Sequence, residues 1–592
     1  MNKHKRLEIF LSEGFFAAQI PPCFSSRAFA VAISTLSAQW DKIKKERCTE
    51  EAAYERYSVA RVGHNRRPIA ITNPVAQFYL SRCIADEWVQ INKSFRMSRI
   101  SLSVPKLANA TGRSIEITPI KKLQEEKLLR SAGARFSLVS DIAQFFPSIY
   151  THSIAWALEG KENAKRKAVR NNKLLLGNRL DELCRYTQQN QTIGIPIGPD
   201  TSHILAELIG AAIDQLLKEK LGKWPLGFRH VDDFTFYFET ETEASRALAV
   251  LFEALAIYEL SPNIAKTKIA RISQIEYDSW VDNFDTFQFS QSKASQRRDL
   301  HRFFDVAFAL AKKFDDENVI QYALRRVETE IIKSHNWDVF SAYLMRCMDA
   351  YPNTIPECVT IVDTYHRYLR EKDFPLKTWQ KFVSSQIIQY APFEKHSEVA
   401  WLLWLALRLK LNIERKSVQL LEQMKSSICL CLGLALEKEG LLKKPIAKAR
   451  LPNFVQGSNL YGPHWLLMYE GAVQGWLPGA VPHVQGDRYF KEMLNRDMRF
   501  FDSTVAPPPI FSLKEKDHPN ADRVAELLDS DENLYELFDF VDLNKDYLGR
   551  RAQYDYLEDD DEEEEDESDD DPWVKKERKF ENELDDLDDT PW

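Results

Sequence analysis

The sequence predicts an α+β fold: a mixed core of strands and helices, then a mainly α-helical region, then an acidic tail with no fold of its own. Three observations predict it. Between residues 136 and 238, aromatic-rich apolar runs of strand length alternate with helical stretches and end in carboxylates. From about 293 to 442, helical patterns follow one another with short polar or proline-bearing links. From Glu558 the chain becomes a run of acids that cannot bury apolar surface and is expected to be disordered. The resulting division is 1–60 as an N-terminal helical segment, 61–290 as the mixed core, 291–511 as a helical C-terminal domain and 512–592 as an extension carrying the tail.

Residues 9–15 and 28–45 read as helices separated by Pro21-Pro22, with Phe29 and Trp40 packing on them. The run Arg66-Arg67-Pro68-Ile69-Ala70-Ile71-Thr72-Asn73-Pro74 follows, with two arginines at its start. The strand Phe136-Ser137-Leu138-Val139-Ser140 then delivers Asp141 into Ile142-Ala143-Gln144-Phe145-Phe146. The loop Gly194-Ile195-Pro196-Ile197-Gly198 opens a helix expected to run to about Lys220. Finally, Gly227 to Phe238 reads as two strands with Asp232-Asp233 at their turn. Taken alone, an Asp-Asp pair at a hairpin is ordinary turn chemistry, because Asp tolerates tight turns. Two strands ending in Asp can instead share a pair of divalent ions, the arrangement nucleotidyl transfer uses to activate a 3′-hydroxyl and neutralise a leaving pyrophosphate.

The order of these segments resembles the reverse transcriptases. Asp141 with Phe145-Phe146 is similar to their motif A, Gly194 to Ser202 to motif B, His230-Val231-Asp232-Asp233 to motif C, and the run Leu260 to Lys268 to motif D. The resemblance implies a fingers-and-palm core in which Asp141, Asp232 and Asp233, with the backbone of Ile142, hold two Mg²⁺, Mn²⁺ being an alternative. It implies that Phe146, Arg67, Lys266 and Gly198 contact the incoming nucleotide, and Gly194, Pro196 and His230 the template or primer. Arg66 is the alternative to Arg67; a guanidinium suits the task by gripping phosphate in a bidentate fork. Phe146 would exclude a 2′-hydroxyl, selecting deoxynucleotides, while one of Phe145 and Phe146 is expected to be plain core, since strand neighbours face opposite ways. The chain departs from the family at His230, where a tyrosine is usual, and at Ile197, where a glutamine is usual.

The formal net charge is −9, but from Glu558 onward 20 acids and 4 bases contribute −16, leaving +7 on the preceding chain. That balance agrees with a nucleic-acid partner for the body. The tail reads as a solubility device or as a phosphate mimic resting on a basic cleft. Eight cysteines without a Cys-x-x-Cys pair read as reduced thiols, and no uncharged apolar run reaches membrane-spanning length; the expectation is a cytoplasmic protein with no membrane partner.

Helical patterns at 302–314, 319–334, 337–351, 355–371, 376–388, 398–409 and 417–437 predict stacked pairs of a HEAT-like array. With a helical domain in place of a thumb, the chain resembles the abortive-infection group of bacterial reverse transcriptases. That implies an RNA-directed or template-independent DNA polymerase in phage defence, priming on a protein tyrosine being one option, with Tyr461 and Tyr469 as examples. Partners implied are nucleic acid, deoxynucleotide triphosphates, a noncoding RNA or second defence protein, and a second copy of the chain. The alternatives are a retron- or intron-like enzyme copying a dedicated noncoding RNA, and a catalytically silent RNA-binding scaffold.

Overall fold

The computed structural model describes residues 1–43, 51–63, 65–108, 112–274, 280–290, 292–447, 451, 457–513, 521–530 and 537–540. The acidic run 558–592, Cys48 and most of the 512–592 extension lie outside these residues. The described chain is mainly helical with small sheets, an α+β arrangement. No described helix is long and apolar enough to cross a membrane. The seven described cysteines are all buried and unbridged.

The central element is a four-stranded antiparallel sheet in the order Leu226–His230, Asp233–Phe238, Phe136–Asp141, Lys268–Arg271. Period-two patterning explains its pairing: Leu138, Phe234 and Phe236 are buried while Val139 is exposed. The Glu241–Ile257 helix packs against the two middle strands and starts with a capping box between Thr240 and Glu243. The Asp200–Leu221 helix packs in turn against that helix. It starts at Asp200, where Pro199 precedes the first turn and the buried carboxylate accepts from Arg113 and from the Ser114 N–H (3.0 Å) and hydroxyl (2.7 Å).

Three sequence expectations need correction. Phe145 and Phe146 do not continue a strand. Gln144 takes a left-handed conformation (φ 47°), and Phe145–Ser148 forms a single helical turn with Phe145 buried and Phe146 half-buried. The first helix spans Lys3–Ser12, beginning where the Asn2 side chain accepts from the Lys5 N–H, before the apolar run used to place it. The expected 417–437 helix is two, Arg415–Leu421 and Ser427–Lys438, the second capped by the Ser426 hydroxyl.

The helical region stacks in two layers. One contains Asn318–Glu328, Ile355–Tyr368, His396–Arg408 and Ser427–Lys438, each packed on the next; outer helices including Trp337–Ala350 and Leu376–Tyr390 cover them. Residues 399–407 are buried on every face, as an apolar run flanked by helices on both sides requires.

This stack grips the hairpin formed by Glu55–Ala60 and Arg66–Ile71. On the hairpin's unpaired edge, the Ser58 N–H donates to His396 Nδ1 (3.2 Å) and the Ala60 N–H to Ser397 Oγ (3.0 Å). Arg66 forms a two-pronged ion pair with Glu398, whose side chain is fully buried, and also donates to Ser58 Oγ (2.8 Å). Glu398→Ala is expected to destabilise the protein by about 2 kcal/mol, because it strands the Arg66 guanidinium at a partly buried joint. Urea denaturation checks this, and an unchanged midpoint would contradict it.

Candidate active site

The sheet register brings the predicted carboxylates together. Asp141 lies directly opposite Asp233 on the neighbouring strand, and Asp232 occupies the two-residue turn between His230 and Asp233. Like charges facing across a ladder destabilise it, so this pairing has no structural benefit of its own. The Ile142 N–H donates to the Asp232 carbonyl (3.2 Å), tying the end of one strand to the turn of the other.

The turn is strained. Val231 sits at φ 57°, a conformation that a β-branched residue adopts only at a cost of roughly 1–3 kcal/mol. Both polar groups of its backbone are held: its N–H donates to Ser103 Oγ (2.8 Å), and its carbonyl accepts from Arg229 Nη1 (3.0 Å). Arg229 is itself 1% exposed and lies between two buried acids of the Asp200–Leu221 helix. Its Nε and Nη2 bond Asp214 (2.9–3.1 Å), and Nη1 and Nη2 bond Glu207 (3.0 and 2.9 Å). Glu207, Gly210 and Asp214 share one helical face, and a Cβ on Gly210 would stand 2.6 Å from Arg229 Cζ. Glycine is needed there for the guanidinium to fit.

Electrostatics mark the same place. Burial first, then the charges of Asp233 and Asp141, pushes the Asp232 carboxyl up to about 7. Burial and the Asp141 charge also raise Asp233. Asp141 is turned toward two donors, Asn263 Nδ2 and Lys266 Nζ, each 3.0 Å from Oδ2. That hydrogen bond, with the acidic surroundings, raises Lys266. Among the described residues no three His, Cys, Asp or Glu side chains are already gathered as a metal cage. The donors nevertheless suit a hard divalent cation: all are carboxylate oxygens, and their mutual repulsion is offset here by the Lys266 ammonium, 64% exposed, and at Asp233 also by Lys127.

The remaining predicted residues lie on the Phe145–Ser148 turn, the hairpin, the Gly194–Gly198 loop and the end of the Leu226–His230 strand. Phe146 meets His203 edge-on (5.1 Å between ring centroids), and burial, followed by the charges of Arg113 and Arg67, pushes His203 down to about 3. Arg67 and Lys266 line one cavity of about 700 Å³, to which the helical stack contributes Asn353, Arg325 and Trp401. Arg66 borders the same cavity and is engaged by Glu398. Gly194 and Gly198 both take positive φ (80° and 129°). Between them Pro196 is buried, the Ile195 N–H donates to the Phe146 carbonyl (2.9 Å), and the Ala70 N–H donates to the Ile197 carbonyl (2.7 Å). That loop therefore bridges the Phe145–Ser148 turn and the hairpin. His230 is buried, Nε2 lying 3.1 Å from the Thr118 carbonyl, and burial lowers its pKa.

Sequence reasoning missed Arg229, Glu207, Asp214, Ser103 and the donor role of Asn263. The one available signal was two acids seven residues apart on an otherwise apolar helix face. Of the two example tyrosines, Tyr469 is fully buried and donates to the Met498 carbonyl (2.7 Å), which removes it as a priming hydroxyl; Tyr461 is half-buried and donates to Asp487 (3.0 Å).

No protein-family model matches the chain, and no curated protein matches it. Among solved structures, telomerase from Candida albicans in complex with a TWJ fragment of telomeric RNA is similar over 70% of this chain and 67% of its own, with a TM-score of 0.26 and 12% identity. A likeness that distant bears on neither fold nor activity.

Proposed function

We propose that this protein is a nucleotidyltransferase of the reverse-transcriptase type, adding deoxynucleotides to a 3′-hydroxyl. The observation that carries the reading is the convergence of Asp141, Asp232 and Asp233 at the junction of two neighbouring strands, with Lys266 on the outer side of Asp141. Asp141 and Asp232 would bind two Mg²⁺, Asp233 and the Ile142 backbone supporting them. When bound, the ions would supply activation of the attacking hydroxyl and charge neutralisation at the triphosphate. Arg67 and Lys266, which line one cavity beside the cluster, would hold the phosphates, and Lys266 would leave Asp141 to do so. Phe146, half-buried beside His203, would fill the space of a 2′-hydroxyl and so select deoxynucleotides. Gly198 would approach the nucleotide closely, while Gly194, Pro196 and His230 would border the template–primer. Phage defence, a noncoding RNA partner and self-association are readings suggested by the motif order and the helical region.

The test is to supply purified protein with Mg²⁺ and labelled deoxynucleotides, with and without primed RNA. Labelled DNA that disappears on chelation is expected, and its sequence would identify the template. No product under either condition would overturn the polymerase reading in favour of a scaffold.

A further inference from the structure

Between the Phe145–Ser148 turn and the Gly194–Gly198 loop the chain builds short helices, Ser153–Glu159, Lys161–Lys165, Lys167–Arg170 and Leu176–Tyr186. They enclose a cavity of about 780 Å³ whose wall includes Tyr150, His152, Trp156, Lys165, Arg170 and Lys173. It shares no lining residue with the cavity that holds Arg67 and Lys266, and none of the three clustered aspartates reaches it.

Two features of this cavity and the helices beside it point to a ligand. The first is charge. Residues 161–173 hold six bases and one acid, Glu162. Lys161 is engaged, 2.9 Å from Glu259 and 4.3 Å from the Trp156 ring centroid, and Lys173 pairs with Glu182 (2.6 Å). Arg170, which lines the cavity, and Arg166 and Lys167, which precede it at the start of the Lys167–Arg170 helix and do not line the cavity, are exposed, and their side chains form no ion pair or hydrogen bond among the described residues. Three cations within five residues repel one another, a cost that a polyanion reverses. The second feature is aromatic. Tyr150 stands 4.8 Å from His152 and 5.5 Å from Trp156, centroid to centroid, and both Tyr150 and His152 remain half-buried at the cavity wall. His152 is oriented by Asp181, 2.7 Å from Nδ1.

We propose that this cavity binds a nucleotide of a single-stranded nucleic acid, its base against Tyr150 and His152 and its flanking phosphates on Arg166, Lys167 and Arg170. A recess takes in a base only when the base is unpaired, which favours single strands over duplexes. The site is joined to the candidate active site through the backbone: Tyr150 bridges Ile193, and the Gly194 N–H donates to the Ile149 carbonyl (2.8 Å). Binding here requires no catalysis, so it stands or falls separately from the polymerase reading.

The experiment measures anisotropy of labelled 20-nucleotide dT and U oligomers, a duplex of equal length and labelled mononucleotides on the full chain. The variants are Arg166→Glu/Lys167→Glu/Arg170→Glu and Tyr150→Ala. The triple variant is expected to bind single strands about 10-fold or more weakly, with the slope of log affinity against log salt reduced by about 2. Tyr150→Ala is expected to weaken binding about 5-fold or more, as loss of a stacking partner does, and a 4-thiouridine oligomer should crosslink to the peptide containing Tyr150 and His152. Unchanged affinity and slope in the triple variant at an unchanged Tm, or equal competition by duplex, would overturn the proposal. Mononucleotides binding as tightly as oligomers would identify the ligand's source as free nucleotide at the same site.

Discussion

Replacing Arg229 with methionine is expected to destabilise the protein by about 3–5 kcal/mol, the cost of leaving buried charge uncompensated. The side chain is 1% exposed and is the cation between Asp214, fully buried, and Glu207, 4% exposed. Without it, both carboxylates must either take up protons or remain charged in a water-poor interior. Burial already pushes Asp214 upward even with Arg229 present. The loss should therefore be greater at pH 8 than at pH 5, since the acidic solution supplies the missing protons. Gly210→Ala should act through the same contact by displacing the guanidinium. Urea denaturation of both variants at the two pH values measures the effect. A triple variant with methionine at 229 and leucine at 207 and 214 should recover part of the loss, because an apolar trio needs no compensation. If Arg229→Met unfolds within 1 kcal/mol of the unaltered protein, the network is not what holds the Val231 turn.

Asp232→Asn should do two opposite things. It should lower nucleotide incorporation by about 10³-fold, since an amide is a poor partner for a divalent cation at a charge-stabilising site. It should also raise the Tm of the metal-free protein, by a margin that grows with pH. The sign follows from the carboxyl's shift, from 3.8 to about 7 on folding. Between those values the folded state holds a proton that the unfolded state has released, so stability falls as pH rises through that window. The asparagine variant has no such proton to lose. Melting curves at pH 5 and pH 8 in chelator should show a larger gain at pH 8, and adding Mg²⁺ should narrow it by stabilising only the unaltered protein. An equal gain at both pH values would mean that Asp232 is not under electrostatic stress. Activity is thus expected where the fold gives up stability.

Three of the four strands of the central sheet and the juxtaposition of the three aspartates were legible because period-two patterning and a two-residue turn are local signals, whereas the Lys268–Arg271 strand was not foreseen. What supports them was not. Arg229 resembles any strand residue, and Glu207 and Asp214 resemble ordinary helix charges; only the packing of strand on helix shows that they share a buried centre. The pairing of Arg66 with Glu398 could not be foreseen, since the two lie far apart along the chain. The helical turn at Phe145–Ser148 was misread because nothing in the sequence announces that Gln144 adopts a left-handed conformation. Ser426-Ser427 split a helix inside a run whose apolar residues continue on either side.

The way His396 and Ser397 occupy the outer edge of the Glu55–Ala60 strand has a consequence for how this protein can be divided. An unpaired edge is a template for pairing with other chains, and here the helical stack supplies the cover. A fragment ending near residue 290 would carry the candidate active site with a bare, self-adhesive border. The helical stack is thus a built-in chaperone for the hairpin, and the two cannot be exchanged as independent cassettes.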